Sequence, residues 1–328
     1  MKSIFLTQEP HLDLLDGVYS PRMRKRLADI SEFLGTVCRK DQYDSPMARE
    51  AEAAFSTWGI PALTEEELDK FPNLKAVFYG AGSVQGFARP LLKRGIRLFG
   101  AWQANAVPVA EFSFAQITLA MKGYFQLTRM NRRDALAMFA HYPGNYESKV
   151  GIVGCGAIGK RVAKKLRDLS VEVWVHDPYL KDETARELGV RKAELSDLFR
   201  ECDVIDNHLP DLPATRGMLT RELFMSMKPY ATFINTARAA QLNENDLYDA
   251  LCEAPTRTAL LDVMADESPD AHSPLADLAN VFMTPHIAGA YAQERWRLAE
   301  YMLDEYQRME KGEACPYEIT LEMLKTMA

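Results

Sequence analysis

Short runs of β-branched and aromatic residues alternate with helical patterns along most of this 328-residue chain. This alternation is typical of parallel sheets that carry helices on both faces. One set of runs predicts strands at residues 2–6, 53–57, 75–79 and 96–99. A second set predicts strands at residues 149–153, 171–176, 203–207, 232–235, 258–262 and 281–283. We therefore expect an α/β fold with two doubly wound parallel sheets in separate domains.

Helical signals fill the intervals between these strands. Apolar residues at helical spacing predict a helix from Pro21 through Leu34, with Gly35 as its end. Thr64 and Glu67 have the pattern of a capping box. These signals place helices between the strands, as a doubly wound sheet requires.

Two longer helices bear on the division into domains. One is predicted to begin near Pro108, and an amphipathic helix over residues 291–310 lies beyond the last strand of the second set. A helix in that place can return to the first domain. We therefore expect a discontinuous first domain at residues 1–104 and 290–328, and a second domain at residues 105–289.

Composition and charge disfavour several classes of protein. The formal net charge is −7 and no five Lys and Arg cluster together, so nucleic-acid binding is not expected. No apolar run approaches the roughly 20 residues of a membrane helix. The start passes into a predicted strand without an apolar signal region, which predicts a cytoplasmic protein. The five cysteines are scattered and no two histidines have ligand spacing, so neither disulfides nor a metal site is expected.

A glycine-rich turn carries the strongest local signal. Residues 154–159, Gly-Cys-Gly-Ala-Ile-Gly, follow a predicted strand and open a helix. Gly154 allows a tight turn, Gly156 lets the backbone approach a pyrophosphate, and Gly159 lets helix and strand pack closely. Asp177 ends the next strand, where the acid that binds an adenosine ribose is expected. A 2′-phosphate would meet this carboxylate, so NAD is favoured over NADP; a glycine turn without nucleotide is the alternative.

Three further side chains follow the ends of later predicted strands. Arg238 can hold a carboxylate through two parallel hydrogen bonds, and Glu267 and His286 follow the next two strands. Taken singly, each has an ordinary alternative: a surface ion pair for Arg238, a solvated acid for Glu267 and a capping residue for His286. Ligands of open α/β sheets bind outside the carboxyl ends of the strands, so their joint position favours an active site.

Several motifs in order resemble those of the D-isomer-specific 2-hydroxyacid dehydrogenase family, from about Ala53 to Gly289. The motifs are the glycine turn with Asp177-Pro178-Tyr179, His208-Leu209-Pro210 with Pro-Ala-Thr-Arg-Gly at 213–217, Met-Lys-Pro at 227–229, Phe-Ile-Asn-Thr-Ala-Arg at 233–238, Leu-Asp-Val at 261–263, Ser-Pro-Leu at 273–275 and Thr-Pro-His-Ile-Ala-Gly at 284–289. The resemblance implies a Rossmann NAD-binding domain at residues 105–289 and a smaller flavodoxin-like substrate-binding domain formed by the rest. It further implies a homodimer through the NAD-binding domain.

The resemblance also implies a reaction, the transfer of a hydride between NAD and C2 of a small 2-hydroxy or 2-oxo acid. In that reaction Arg238 would bind and polarise the 2-oxo acid, His286 would exchange the proton, and Glu267 would pair with His286. A carboxylate beside an imidazole favours its protonated form, which suits this exchange. The backbone amides of Ala81 and Gly82 would receive the substrate carboxylate.

The remaining site residues are also implied by the resemblance. Asp262 would hold the nicotinamide carboxamide, and Trp58 and Asn105 would lie in the substrate site, Asn105 at the hinge between domains. The cofactor-binding set is Gly154, Gly156, Ala157, Ile158, Gly159, Asp177, His208, Pro210, Thr215, Thr236, Asp262 and Gly289.

Some positions depart from the family pattern. Ala239 stands where Gly is usual, and Ser268 displaces an expected proline by one residue. The displacement leaves Asp266 as a competitor of Glu267 for His286, although spacing from the preceding strand favours Glu267. The pair Asp206-Asn207 is unusually polar for a buried strand end. Cys155, inside the glycine turn, is either redox-sensitive or, as we favour, a space-filling side chain.

Two alternatives to this dehydrogenase remain open from sequence. One is an NADH-sensing binding protein of the same fold, which the presence of all three site residues disfavours. The other is formate oxidation, for which the resemblance implies Gln in place of Glu267. The loops at residues 56–59 and 79–85 hold no Lys or Arg. We therefore expect an unphosphorylated substrate such as glyoxylate or hydroxypyruvate rather than 3-phosphohydroxypyruvate.

Overall fold

The structure is a computed structural model that describes residues 1–327. The chain forms two compact units, one comprising Met1–Asn105 with the segment from Ala290 onward, and the other Ala106–Gly289. Each unit is built on one mostly parallel sheet with helices between the strands. The predicted α/β fold with two such sheets is confirmed.

Within residues 1–327, the sheet of the first unit has six strands. Those that pair in parallel are β1 (Lys2–Leu6), β2 (Glu32–Val37), β3 (Ala53–Ser56), β4 (Ala76–Tyr79) and β5 (Arg97–Gly100). A C-terminal strand, Glu318–Ile319, is antiparallel to β5. Starting from this strand, the order across the sheet is β5, β4, β3, β1 and β2. The carboxyl ends of β1, β3 and β4 therefore lie side by side.

Strand β2 corrects one prediction. The helix predicted to run through Leu34 ends at Ile30, and Ser31 already has an extended backbone. The next residues pair with β1, Lys2 opposite Glu32 and Leu6 opposite Val37. Leu34 fits a helical spacing, but pairing with a buried strand decides its conformation, because tertiary contacts outweigh local propensity.

The early helices of the first unit are short. They are α1 (Leu12–Val18), α2 (Pro21–Ile30), α3 (Pro46–Glu50), α4 (Glu65–Leu68) and α5 (Ala88–Lys93). The predicted capping box is confirmed at α4, where the amide of Glu67 donates to Oγ1 of Thr64 at 3.2 Å and the amide of Thr64 donates to Oε2 of Glu67 at 2.9 Å. The core of this unit contains a stack of Phe55, Phe78 and Phe99, whose ring centroids are 4.9 and 4.7 Å apart.

The sheet of the second unit has seven strands among the described residues, all paired in parallel. They are β6 (Tyr146–Val153), β7 (Ser170–His176), β8 (Arg191–Lys192), β9 (Val204–Asn207), β10 (Thr232–Asn235), β11 (Thr258–Leu261) and β12 (Val281–Met283). The order is β12, β11, β10, β9, β6, β7 and β8. The chain moves outward in both directions from β6 and β9, which gives a crevice at their carboxyl ends.

The helices that follow β5 are α6 (Trp102–Ala120), α7 (Tyr124–Leu127), α8 (Arg132–Met138), α9 (Ala157–Leu166), α10 (Asp182–Leu188), α11 (Leu195–Glu201), α12 (Arg221–Ser226) and α13 (Glu244–Glu253). Helix α6 begins earlier than predicted, and Pro108 lies inside it. The amide of Asn105 already donates to the carbonyl of Ala101 at 3.0 Å. The prediction of a start near Pro108 is therefore wrong.

Helix α14 (Glu294–Glu310) belongs to the first unit. Its Tyr306 lies 5.5 Å from the rings of both Phe55 and Phe78, so it closes one face of that core. The 3-10 helices are Glu9–His11, Lys40–Asp44, Phe139–His141, Ala239–Gln241, Pro274–Asp277 and Met323–Lys325. Of the helices in residues 1–327, none combines the length and apolar character needed to span a bilayer.

Candidate active site

The glycine turn joins β6 to α9, as the sequence predicts. Gly154 has φ +91°, and a Cβ there would lie 2.9 Å from the carbonyl oxygen of His208. A Cβ on Gly159 would lie 2.2 Å from the carbonyl oxygen of Gly154. A Cβ on Gly156, in contrast, would meet nothing within 4 Å. Packing therefore requires two of the glycines, while Gly156 leaves open space beside the N-terminus of α9, which fits a phosphate-bearing cofactor.

Asp177 closes this turn from the end of β7. Its Oδ2 accepts a hydrogen bond from the amide of Cys155 at 2.7 Å, and its Oδ1 accepts one from the amide of Tyr179 at 2.8 Å. Each carboxylate oxygen has a second lone pair, so Asp177 retains acceptor capacity for ribose hydroxyls. The first residues of α9, Ala157 and Ile158, supply the helix N-terminal amides beside it.

Cys155 is buried in the same turn, with 3% of its surface exposed. Burial, assisted by the negative charge of Asp177, raises the pKa of its thiol to about 11. A protonated, buried thiol is a poor nucleophile. The space-filling interpretation of Cys155 agrees with this environment.

A buried polar pair lies at the end of β9. Nε2 of His208 is 2.7 Å from Oδ2 of Asp206, and both side chains are almost completely buried. Nδ1 of His208 and Oδ1 of Asp206 make no hydrogen bond within residues 1–327. The sequence indicates the polarity of Asp206 but not this pairing. Nearby, Oγ1 of Thr215 donates to the carbonyl of Pro210 at 2.5 Å and holds that loop in a closed turn.

A second polar cluster explains Asn207. Its Nδ2 donates to Oδ1 of Asn235 at 3.0 Å and to Oε1 of Gln241 at 3.3 Å. The same Gln241 oxygen accepts from the amide of Arg238 at 3.0 Å. These buried amides fix the turn after β10, and sequence reasoning did not identify Gln241. Thr236 also lies in this turn, and its Oγ1 is 3.4 Å from Oγ of Ser113.

Arg238 follows this turn with an exposed side chain. Nη1 donates to the carbonyl of Ala237 at 2.6 Å, and no carboxylate within residues 1–327 forms an ion pair with the guanidinium. The sequence analysis gave a surface ion pair as the alternative role of Arg238, and this ion pair does not form within residues 1–327. Ala239 does not have a positive φ, so the backbone at this departure from the family pattern does not require Gly.

Asp262 organises the loop at residues 284–289. Its Oδ1 accepts hydrogen bonds from Oγ1 of Thr284 at 2.6 Å and from the amide of Ile287 at 2.8 Å. Its Oδ2 accepts one from the amide of Ala288 at 2.9 Å. The carboxylate is 2% exposed. Asp262 therefore holds in place the loop that carries His286 and ends at Gly289.

Glu267 and His286 are in direct contact. Oε2 of Glu267 lies 2.8 Å from Nδ1 of His286, and the two side chains are 42% and 44% exposed. Asp266 instead accepts a hydrogen bond from the amide of Ser268 at 2.9 Å. The displaced proline thus leaves Glu267 as the partner of His286. Nε2 of His286 makes no hydrogen bond within residues 1–327, so it is free to meet a ligand.

His286 also has an unusual backbone, with φ +55°. Its amide donates to the carbonyls of Asp262 at 3.1 Å and Thr284 at 3.0 Å. A left-handed conformation at a residue other than glycine persists only when surrounding bonds hold it, and it is typical of functional positions. The loop therefore fixes the direction of the imidazole.

Apart from Arg238, the predicted substrate residues lie in the first unit, with Trp58 after β3, Ala81 and Gly82 after β4, and Asn105 in α6. Oγ1 of Thr57 donates to the carbonyl of Gly80 at 2.9 Å and ties the two loops together. The amide of Ala81 already donates to the carbonyl of Tyr79 at 2.8 Å. This amide is therefore already engaged in a tight turn, and its role as a donor to a substrate carboxylate stays a prediction. The amide of Gly82 makes no hydrogen bond within the described chain and remains available.

Asn105 and Trp58 complete this group. A methyl group placed on Gly82 would lie 3.9 Å from Nδ2 of Asn105, whose Oδ1 accepts from the amide of Ala290 at 2.9 Å. The half-buried ring of Trp58 lies 5.7 Å from the guanidinium carbon of Arg295. The sequence analysis covered only the loops themselves and did not identify Arg295, which lies in helix α14. Among residues 1–327, no three His, Cys, Asp or Glu side chains are close enough to hold a metal ion.

Comparisons with known proteins agree with this arrangement. Residues 114–288 match the model of the "D-isomer specific 2-hydroxyacid dehydrogenase, NAD binding domain". The D-3-phosphoglycerate dehydrogenase of Mycobacterium bovis is 31% identical over 254 residues, which cover 76% of this chain and 48% of that enzyme. The chain thus spans about half the length of such relatives. The glyoxylate reductase of Korarchaeum cryptofilum is 29% identical over 269 residues, 80% of this chain and 81% of that enzyme.

A solved structure shows the same fold. The D-mandelate dehydrogenase of Rhodotorula graminis superposes with a TM-score of 0.82 at 18% identity, over 97% of both chains. The family model covers more than half of this chain and a curated relative exceeds 30% identity over three quarters of it. The second unit is accordingly an NAD-binding domain, and the chain belongs to the D-isomer specific 2-hydroxyacid dehydrogenase family.

Proposed function

We propose that this protein is an NAD-dependent oxidoreductase that transfers a hydride between NAD(H) and C2 of a small 2-hydroxy or 2-oxo acid. The contact between Glu267 and His286 carries the proposal. It places a carboxylate on one imidazole nitrogen and leaves the other free, which is the arrangement that general acid–base catalysis requires. NAD(H), when bound, supplies or accepts the hydride.

His286 exchanges the proton that accompanies the hydride. In reduction, Nε2 donates its proton to the carbonyl oxygen at C2 as that oxygen gains negative charge; in oxidation, Nε2 takes the hydroxyl proton. Glu267 stabilises the protonated imidazole through its contact at Nδ1. Arg238, free of a carboxylate partner, binds the substrate by a fork-shaped contact and polarises its carbonyl. The amide of Gly82 and the side chain of Asn105 receive the substrate carboxylate.

The cofactor is held by the glycine turn. Phosphates bind beside Gly156 and the N-terminus of α9, and Asp177 accepts hydrogen bonds from the adenosine ribose. His208, Pro210, Thr215, Thr236 and Gly289 line the cofactor site from the neighbouring strand ends. We propose a preference for NAD over NADP, because the Asp177 carboxylate repels a 2′-phosphate. A tenfold higher kcat/KM with NADPH than with NADH would contradict this assignment.

We further propose an unphosphorylated substrate. The loops at residues 56–59 and 79–85 bring no Lys or Arg to the ends of β3 and β4, and a phosphate that leaves water needs charge-assisted hydrogen bonds. The relative named glyoxylate reductase supports this class. The phosphoglycerate dehydrogenase relatives represent the phosphorylated alternative, and a comparison of hydroxypyruvate with its phosphorylated form decides between the two.

The central test follows NADH consumption with a panel of 2-oxo acids. The wild type should turn over, and His286→Gln should lose at least about 100-fold in kcat. Arg238→Lys should lose at least about tenfold in kcat/KM, since a point charge cannot reproduce the fork. His272→Gln is the matched control, because His272 also contacts a carboxylate, Asp277 at 3.2 Å, on the protein surface. NADH binding without turnover of any 2-oxo acid would identify an NADH-sensing protein instead.

The proposed homodimer uses the second unit. Exposed large apolar side chains concentrate from the end of α6 to the start of β6, at Leu119, Tyr124, Leu136, Phe139 and Tyr146. An exposed apolar surface of this kind is typical of an interface. In sedimentation experiments Phe139→Lys should weaken the dimer, whereas Leu321→Lys, at an exposed apolar residue of the first unit, should not. A monomeric wild type would refute the proposal.

A further inference from the structure

Arg295 is a cation without a counter-ion in the first unit. It lies in the first turn of α14 and is half-buried. Its guanidinium carbon lies 5.7 Å from the ring centroid of Trp58, and its Nε is 3.5 Å from the carbonyl oxygen of Ala290. No carboxylate within residues 1–327 forms an ion pair with it. A half-buried guanidinium without a carboxylate partner retains its capacity to bind an anion.

A chain of contacts connects Arg295 to the candidate carboxylate site. The carbonyl of Ala290 accepts from Arg295, and the amide of the same residue donates to Oδ1 of Asn105 at 2.9 Å. Nδ2 of Asn105 faces Gly82, whose amide is free. Trp58 follows β3, and Thr57 ties that loop to the loop of Gly80 at the end of β4. Arg295 and the amide of Gly82 therefore lie at the same end of the same sheet.

We propose that Arg295 is a specificity-determining residue that binds a second carboxylate of the substrate. The substrate class is then a short 2-oxo dicarboxylic acid. This inference rests on the proposed function and adds the chemistry of the substrate tail. The carboxylate at the 2-oxo end meets the amide of Gly82, and the distal carboxylate meets Arg295.

The surroundings of Arg295 favour a carboxylate over a phosphate. The guanidinium lies near the Trp58 ring, with Nε directed at the carbonyl of Ala290 and Nη1 beside Gly17. Its remaining N–H groups can meet one further anion. A phosphate carries close to two negative charges, and the loops at residues 56–59 and 79–85 add no second cation. One guanidinium matches one carboxylate in charge and in geometry.

The experiment compares substrates of equal carbon length. 2-Oxoglutarate is paired with 2-oxopentanoate, and oxaloacetate with 2-oxobutyrate, each with NADH and the full-length protein. For at least one pair, wild type should favour the dicarboxylate by about tenfold or more in kcat/KM. Arg295→Gln should remove that preference, mainly by raising KM for the dicarboxylate, and should change kcat/KM for the monocarboxylate less than about threefold. Arg295→Lys should retain part of the preference, because it keeps the charge but not the fork.

The control is Arg22→Gln, which removes a positive charge from the same unit at an exposed pair with Glu300. It should leave both substrates unchanged. Equal kcat/KM for the members of both pairs in the wild type would overturn the inference, even if the Arg295 variants failed to fold. An equal loss for both substrates in Arg295→Gln would also overturn it, since that pattern indicates a structural role against Trp58.

A third arm uses 3-phosphohydroxypyruvate. If this substrate exceeds every dicarboxylate and loses most from Arg295→Gln, then Arg295 binds phosphate and the dicarboxylate assignment is wrong. Failure of the proposed function gives a different result, because no 2-oxo acid would then be reduced. Reduction of monocarboxylates without preference for dicarboxylates rejects this inference alone.

Discussion

Asp262 provides a direct test of how the loop that carries His286 is held. The carboxylate accepts hydrogen bonds from Thr284, Ile287 and Ala288 while almost fully buried. Asp262→Asn preserves the size of the side chain. It replaces one acceptor oxygen by an amino group and removes the charge. We predict that this substitution opens the loop at residues 284–289 and lowers turnover through the displacement of His286.

The magnitude follows from the bonds that asparagine cannot make. Its single oxygen can keep the two bonds at Oδ1, but its amino group then faces the amide of Ala288 with no acceptor. A hydrogen bond to a charged group contributes about 1.5–3 kcal/mol, and an unsatisfied buried donor costs about 1–3 kcal/mol. Both ranges partly describe the same lost contact with Ala288, so they do not simply add. We expect the free energy of loop opening to fall by about 2–4 kcal/mol.

Hydrogen exchange is the appropriate assay, because a chain with two compact units need not unfold in a single two-state transition. The amides of Ile287 and Ala288 should exchange at least roughly 30-fold faster in Asp262→Asn, since about 2 kcal/mol corresponds to that factor. The measurement is made without cofactor, so that any contact between Asp262 and nicotinamide does not contribute.

Asp266→Asn is the matched control. This exposed carboxylate accepts one backbone hydrogen bond, from Ser268, so the same substitution should change the free energy by less than about 0.5 kcal/mol. If the amides of Ile287 and Ala288 exchange at the same rate in both variants, then Asp262 does not hold the loop and the reasoning above is refuted.

Other predictions concern the glycine turn and the core of the second unit. Gly159→Ala should lower thermal stability by about 1–3 kcal/mol, because its methyl group would meet the carbonyl of Gly154. Gly156→Ala should leave stability nearly unchanged but weaken NADH binding in a fluorescence titration. Equal losses of stability in the two variants would contradict both predictions. Arg257→Met should destabilise the second unit by about 3 kcal/mol or more, measured by hydrogen exchange of its core amides. The reason is that the buried guanidinium donates to three backbone carbonyls. A loss below about 1 kcal/mol would disprove that role. Cys155 should resist alkylation at pH 8, where a thiol of pKa about 11 is only about 0.1% ionised. Mass spectrometry compares its rate of labelling with that of the exposed Cys252. Equal rates at the two cysteines would refute this prediction.

Local sequence patterns predicted features whose physical cause is also local. The capping box at Thr64 and Glu67 needs only neighbouring residues, and it forms as predicted. The glycine turn follows from a tight backbone and a close approach of α9 to β6, which Gly154 and Gly159 alone permit. Parallel strands bring their carboxyl ends to one edge of the sheet. Strand positions therefore sufficed to group Glu267 with His286 before any distance was known.

Local patterns misled where long-range pairing decides the conformation. Leu34 has helical spacing from the residues before it, yet it lies in β2, because pairing with β1 satisfies the backbone across the sheet. The amide of Ala81 donates to the carbonyl of Tyr79, and the residue types alone do not specify this turn geometry.

Only the tertiary structure joined residues that are far apart in the chain. It selected Glu267 over Asp266 as the partner of His286, paired Asp206 with His208 in a buried site, and placed Arg295 over Trp58. Residue types show that a side chain can bond or carry charge, but its partner depends on how helices and strands pack. The sequence by itself thus determined the fold class and which side chains can bond or carry charge, while packing decided which of them meet.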